Sequence, residues 1–145
     1  MTAPQALLVL AALVLLTLLI GVVRVARSGR GRPERRPLSL TAADLDGRPL
    51  GAAATFVQFG TATCGPCRTA DRVLERFVAT RPGVAHIDVD LAEHPGLASR
   101  FGIVEVPTTL LVDPTGAVRA RFTGVPRAGD LSTFLDQLIG GSHVH

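Results

Sequence analysis

The chain contains two cysteines, and they stand together in Cys64-Gly65-Pro66-Cys67. Two thiols at this spacing can exchange a disulfide: one attacks as a thiolate, and the other resolves the mixed disulfide that results. The residues just before them, from Phe56 to Thr63, read as an apolar β-prone run followed by a small polar loop. An amphipathic pattern begins at the motif itself, so Cys64 falls where a loop meets a helix. There its sulfur faces unpaired backbone N–H groups and the positive end of the helix dipole, which lower a thiol pKa. Cys64 is therefore the candidate nucleophile. Cys67, one turn inside, is the candidate resolving thiol, with Gly65 and Pro66 shaping the turn between them; proline is tolerated in a first helical turn. The competing readings are half of a metal site or two structural cysteines, and the metal site needs further ligands. His94 opens a predicted helix, and His143 and His145 lie on the terminal tail, so no metal site is expected. A single cysteine pair permits no structural disulfide framework and leaves the redox compartment undated.

The elements that position this pair can be read from periodicity. The run Ala53–Phe59 reads as a buried strand, and Cys64–Thr80 as a helix with Ala70, Val73, Leu74, Phe77 and Val78 at helical spacing. A second strand is expected over Val84–Val89 and a short helix over His94–Phe101. Thr108–Val112 and Ala117–Phe122 form a hairpin around Asp113-Pro114-Thr115-Gly116. Asp130 is positioned to cap a last helix over Leu131–Ile139, ended by Gly140-Gly141. Thr41–Leu45 reads as one helical turn. Strand–helix–strand–helix followed by a hairpin and a helix implies an α/β domain with a mixed central sheet flanked by helices.

Upstream of this domain, residues 5–23 carry no charge, and Gln5 and Thr17 are their only polar side chains. As a helix they would reach about 28 Å, close to the hydrocarbon thickness of a bilayer. A cleaved signal peptide would want a basic start and a small-x-small cleavage site, and a soluble core helix would show a polar face. The expectation is one transmembrane helix over 5–23, after a short tail at 1–4. Residues 24–37, rich in Arg, Gly and Pro, read as a linker, residues 38–140 as the folded domain, and 141–145 as a flexible tail.

The net charge of +3 is unevenly placed. Six arginines against one acid fall between Arg24 and Arg36, whereas nine arginines against eleven acids follow from Leu38 onward. The domain itself has no basic excess, which argues against nucleic-acid binding. The arginines lie on the C-terminal side of the apolar span, so the positive-inside rule favours a cytoplasmic domain. An extracytoplasmic domain is the alternative. Near a membrane surface the arginines would also attract anionic head groups, at about 1 kcal/mol each.

Cys64-Gly65-Pro66-Cys67 after an apolar strand resembles the active site of the thioredoxin family. Val106-Pro107-Thr108, with Pro107 40 residues after Cys67, resembles the family's cis-proline loop. Val84 to Asp90 resembles its central strand, and Thr123-Gly124-Val125 its glycine after the hairpin. The resemblance covers roughly residues 38–139. It implies a thioredoxin fold in which Pro107 is cis and faces the dithiol, while the backbone of Val106 meets an extended substrate strand. It further implies a redox-active Cys64–Cys67 disulfide with no other cofactor, protein disulfides as substrates, and a thiol reductant as partner. That reductant would be either thioredoxin reductase-like or a membrane thiol transporter.

The sequence also departs from the family. Thr63 stands where a tryptophan usually precedes the first cysteine, and the chain contains no tryptophan. Gln58 stands where the family has a buried aspartate that relays the proton of the resolving thiol, and an amide cannot take that proton near neutral pH. His86 matches the position of the lysine beside that aspartate. Two readings of His86 stay open: it handles the proton itself, or it is a half-buried strand residue bonded to Gln58. Glu105, before the proline loop, reads as a solvated acid or a selector of partner charge. The Gly-Pro dipeptide resembles that of reducing members, near −270 mV, more than strongly oxidising ones, near −120 mV. The implied function is a membrane-anchored thiol–disulfide oxidoreductase that reduces protein disulfides. The alternatives are an extracytoplasmic reductant for cytochrome c maturation or envelope disulfides, and a non-catalytic tethered binding module.

Overall fold

A computed structural model describes residues 2–141. Its elements, in chain order, are α1 (Ala3–Arg27), β1 (Gly31–Pro33), β2 (Ala54–Gly60), α2 (Gly65–Val78), β3 (Val84–Asp90), α3 (Pro95–Phe101), β4 (Thr108–Val112), β5 (Val118–Thr123) and α4 (Ala128–Gly141). The five strands form one sheet in the order β1-β5-β4-β2-β3. Only β2 and β3 run parallel; β2/β4, β4/β5 and β1/β5 are antiparallel. The mixed sheet flanked by helices is the thioredoxin fold expected from the sequence.

Every residue of β2 is buried. Because side chains alternate along a strand, its two faces serve two cores. Val57 and Phe59 pack with Ile87, Val89, Phe101 and Leu110 on one side. Ala54 and Phe56 pack with Leu74, Phe77, Phe122 and Leu131 on the other, beneath α2 and α4. Phe56 meets Phe77 edge-on, with ring centroids 5.6 Å apart, and this contact seats α2. The buried stripe of α2 is Cys67, Ala70, Leu74 and Phe77, so helical periodicity itself turns Cys67 inward.

Several boundaries differ from expectation. The apolar helix runs on to Arg27, and of the expected tail 1–4 only Thr2 among the described residues lies outside it. Residues 24–37 are not a free linker. Gly31, Arg32 and Pro33 pair with Phe122, Arg121 and Ala120 as an edge strand. Glu34 then anchors the segment: its amide donates to Arg119 O at 2.9 Å, and its carboxylate accepts from Arg121 Nη2 at 3.0 Å. Burial alone would raise the Glu34 pKa; the Arg36 backbone amide and the Arg121 guanidinium outweigh it and hold the carboxyl below its ordinary value. Asp130 does not cap a helix starting at Leu131. It lies in the first turn of a helix that begins at Ala128, and its Oδ2 accepts the Gly31 amide at 3.0 Å. Gly141 closes α4, and the rest of the expected 141–145 tail, including His143 and His145, lies outside the described residues. Thr41 and Asp44 form a capping box on a 3-10 turn over Ala42–Leu45.

Gly31 explains how so polar a segment joins the sheet. A Cβ there would lie 2.5 Å from both the Phe122 and Phe134 rings, so only glycine lets the backbone come this close. Gly31→Ala is accordingly expected to cost about 1–3 kcal/mol, the usual range for overpacking. Urea unfolding would read this as a lower midpoint at unchanged slope. A midpoint equal to that of the natural chain would show that β1 contributes nothing to the packed domain.

Candidate active site

The chain leaves β2 at Gly60, crosses Thr61-Ala62-Thr63 and enters α2, with Cys64 as the helix N-cap. Cys64 has extended backbone angles (φ −81°, ψ 107°), and its sulfur accepts the Cys67 amide at 3.2 Å. That contact uses one of the donors a helix start leaves unpaired, and such a donor favours negative charge on sulfur. Cys64 and Cys67 are joined by a disulfide, with their Cα atoms 5.3 Å apart. The two sulfurs differ in access: Cys64 is half-buried, whereas Cys67 is only 5% exposed. Gly65 and Pro66 fill the exposed first turn between them.

Strand register sets the other candidates around this pair. Phe59 of β2 faces Thr108 of β4, and Gly60 pairs with Asp90 of β3. The dithiol loop and the Val106-Pro107 loop therefore emerge at the same end of the sheet. The Val106–Pro107 peptide bond is cis. Pro107 is buried and Val106 half-buried; the Pro107 carbonyl accepts the Gly124 amide at 2.8 Å. Glu105 is exposed on the same loop, and its carbonyl accepts from the Thr108 hydroxyl at 2.8 Å.

Gln58 is fully enclosed, and its Nε2 donates to the Cys67 carbonyl at 3.0 Å. Its Oε1 has no partner among the described residues. His86 lies opposite Phe56, with Nδ1 3.8 Å from Asp71 Oδ1 and Nε2 buried without a partner among the described residues. No hydrogen bond joins it to Gln58, which corrects one of the two expected readings: the Gln58 amide is committed to the backbone of the helix. Burial pushes the His86 pKa down; Asp71, Asp88 and Glu75 pull it up without overcoming that effect, so the ring is neutral at neutral pH.

The residue paired with Gln58 in register is Asp88. Sequence reasoning passed over it, although the alternation in Val84–Asp90 puts His86, Asp88 and Asp90 on one face. Asp88 and Gln58 line a small cavity beside Cys67. Asp88 is exposed, yet partial desolvation first, then the like charge of Asp71, raises its carboxyl pKa from the ordinary value; His86 and Arg48 oppose this without reversing it.

With this geometry established, likenesses to known proteins can be set beside it. The thioredoxin family model matches residues 49–137. Mitochondrial thioredoxin of Mus musculus is 36% identical over 85 residues, covering 58% of this chain and 51% of that protein. The chain thus spans about half the length of its mitochondrial relatives. Thioredoxin of Staphylococcus aureus (strain Mu50) is 30% identical over 101 residues, covering 69% of this chain and 95% of that protein. Among solved structures, a chloroplastic thioredoxin z superposes with a TM-score of 0.55 at 23% identity, over 68% of this chain and 87% of that one. That likeness bears on the fold alone. The family match, the fold and the dithiol at a helix start agree: the chain belongs to the thioredoxin family.

Proposed function

We propose that the protein is a membrane-tethered thiol–disulfide oxidoreductase that reduces disulfides in protein substrates. The reduced Cys64 thiolate attacks a substrate disulfide, forming a mixed disulfide and releasing one substrate thiolate. Cys67 then attacks Cys64 Sγ, closing the intramolecular disulfide and releasing the second thiolate. The substrate gains two electrons and the dithiol loses them. A thiol reductant, either thioredoxin reductase-like or a membrane thiol transporter, returns the pair. The observation that carries this reading is the asymmetry of the two sulfurs: the accessible Cys64 caps the helix and receives an N–H, while Cys67 is enclosed one turn behind. In this reading Gly65 and Pro66 hold the turn, the Val106 backbone beside Pro107 pairs with an extended substrate segment, and Gln58 steadies Cys67 through its carbonyl.

A membrane role for α1 is supported by its composition. Among the described residues it is the one helix long and apolar enough to span a bilayer, with mean hydropathy 3.1 across its most apolar stretch and no buried residue. Only Ser28, Gly29 and Arg30 separate it from β1. The Gly29 amide donates to Thr123 O at 2.6 Å, and Arg127 Nη2 donates to Ala26 O at 3.1 Å. Ser28 packs on Gly124, whose amide bonds the cis-proline loop. This is a short, docked tether, and it favours clients at the membrane surface. The arginines after α1 support a cytoplasmic domain.

Three measurements test these proposals. Insulin disulfides should be reduced by the natural chain and not by Cys64→Ser; equal activity would favour a non-catalytic binding module. The couple should titrate near −270 mV, and a value above about −150 mV would contradict a reductase. For sidedness, a membrane-impermeant thiol reagent applied to reduced intact cells should leave Cys64 unlabelled. Labelling from outside would instead place the domain with the extracytoplasmic reductants.

A further inference from the structure

We propose that the Asp88 carboxylate is the catalytic base that takes the proton from the Cys67 thiol across the gap above Gly60. This rests on the dithiol reading above and assigns the proton that reading leaves unplaced. Resolution requires Cys67 as a thiolate, yet the residue is only 5% exposed, so bulk water has poor access to its proton. Gln58 cannot receive it. Its Nε2 is a donor already held by the Cys67 carbonyl, and an amide oxygen is not a base near neutral pH.

Three geometric facts point to Asp88. It pairs with Gln58 in the parallel β2/β3 register, so both side chains rise on the face beneath α2. It lines the same cavity as Cys67. Finally, Gly60 carries nothing between them: a Cβ built there would lie 3.1 Å from Cys67 Sγ and 3.9 Å from Asp88 Oδ1. The sulfur and the carboxylate oxygen thus border one small space, which a larger residue at position 60 would fill.

The neighbouring charged groups leave Asp88 as the free acceptor. From α2 it faces Asp71, whose carboxylate turns to His86, and Arg68, which lines the cavity. On its own strand are His86, neutral and outside the cavity lining, and Asp90, whose Oδ1 accepts the Ala92 amide at 2.8 Å. From the loop before β2, Arg48 donates to the Asp88 backbone carbonyl at 2.9 Å. Among the described residues, no hydrogen bond or ion pair occupies the Asp88 carboxylate. Asp88 is itself exposed to solvent, so a proton it takes has a way out to water; partial desolvation and the like charge of Asp71 raise its pKa, which makes it a better acceptor. In the step, the S–H bond of Cys67 breaks and an O–H bond forms on Asp88. The sulfur lone pair forms the Cys67–Cys64 bond as the Cys64–substrate S–S bond breaks, and the substrate sulfur leaves as a thiolate. Asp88 returns its proton to solvent.

The test follows the reduced full chain, in detergent micelles, reacting with a bis-aryl disulfide that releases one coloured thiolate per step. The first phase reports Cys64 attack and the second reports resolution by Cys67. Asp88→Asn should leave the first phase unchanged and slow the second about tenfold or more at pH 7, within the span of general-base effects. The gap should narrow as rising pH ionises Cys67 directly. Asp90→Asn, which removes a charge from the same cavity, should stay within about twofold of the natural chain. A second readout guards against misfolding. A raised carboxyl pKa means that the charged form costs the oxidised fold stability above that pKa and nothing below the unfolded value of 3.8. Asp88→Asn should therefore raise Tm at pH 7 and leave it unchanged at about pH 3. An unslowed second phase in Asp88→Asn, or a slowing found in His86→Gln instead, overturns the assignment while leaving the dithiol reading intact. A missing first phase in the natural chain overturns both.

Discussion

The site depends on the complete enclosure of β2. The strand is hydrogen-bonded on both edges and buried on both faces, so neither its register nor its exit point can shift without breaking two cores. A slip of one residue would carry Phe56 and Gln58 from the α2 face to the α3 face. Held as it is, the strand ends with a glycine beneath Cys67 and launches the loop that makes Cys64 a helix cap. The redox pair inherits its geometry from that packing, with the Phe56–Phe77 contact fixing the height of the helix above the sheet.

The same enclosure creates the electrostatic problem that the site has to solve. A resolving thiol under a helix is shielded from water, and a neutral thiol there is the cheaper state. The amide of Gln58 fits the space and bonds the helix, but it carries no basic group. A carboxylate bordering the same small cavity as the sulfur belongs to the neighbouring strand, brought there by parallel pairing. In that position the charged form of Asp88 is disfavoured by partial desolvation and by Asp71, while its exposure leaves a path to water, and together these suit it to hold a proton transiently.

Features set by local pattern were legible in the sequence. The two-residue spacing of Cys64 and Cys67, the stripe of Ala70, Leu74 and Phe77, and the hairpin at Asp113–Gly116 each follow from a few neighbouring residues, and each element formed within about two residues of its expected position. The Arg/Gly/Pro segment was not legible as a strand. What admits Gly31 to the sheet is its lack of a side chain against Phe122 and Phe134, about a hundred residues away in the chain. Asp130 was misread for the same reason, because its partner is the Gly31 amide and not its own helix. Around the dithiol, alignment with family positions drew attention to Gln58 and His86. The residue opposite Gln58, however, is fixed by strand register; alternation within Val84–Asp90 marks the face Asp88 occupies but not its neighbour on the next strand.

In the proposed membrane-tethered role, the docking of α1 on the domain adds a constraint that a freely diffusing reductase lacks. With Ser28 against Gly124 and β1 paired to β5, the end of the apolar helix lies beside the cis-proline loop, an arrangement that in this role exchanges reach for orientation. The central claim, that Cys64 attacks and Cys67 resolves, is tested most directly by trapping. Cys67→Ser, reduced and mixed with a disulfide-bonded protein substrate, should accumulate a mixed disulfide that mass spectrometry assigns to Cys64. Cys64→Ser should yield none. An adduct on Cys67 in the Cys64→Ser variant at comparable yield, or no adduct in either, would contradict the account.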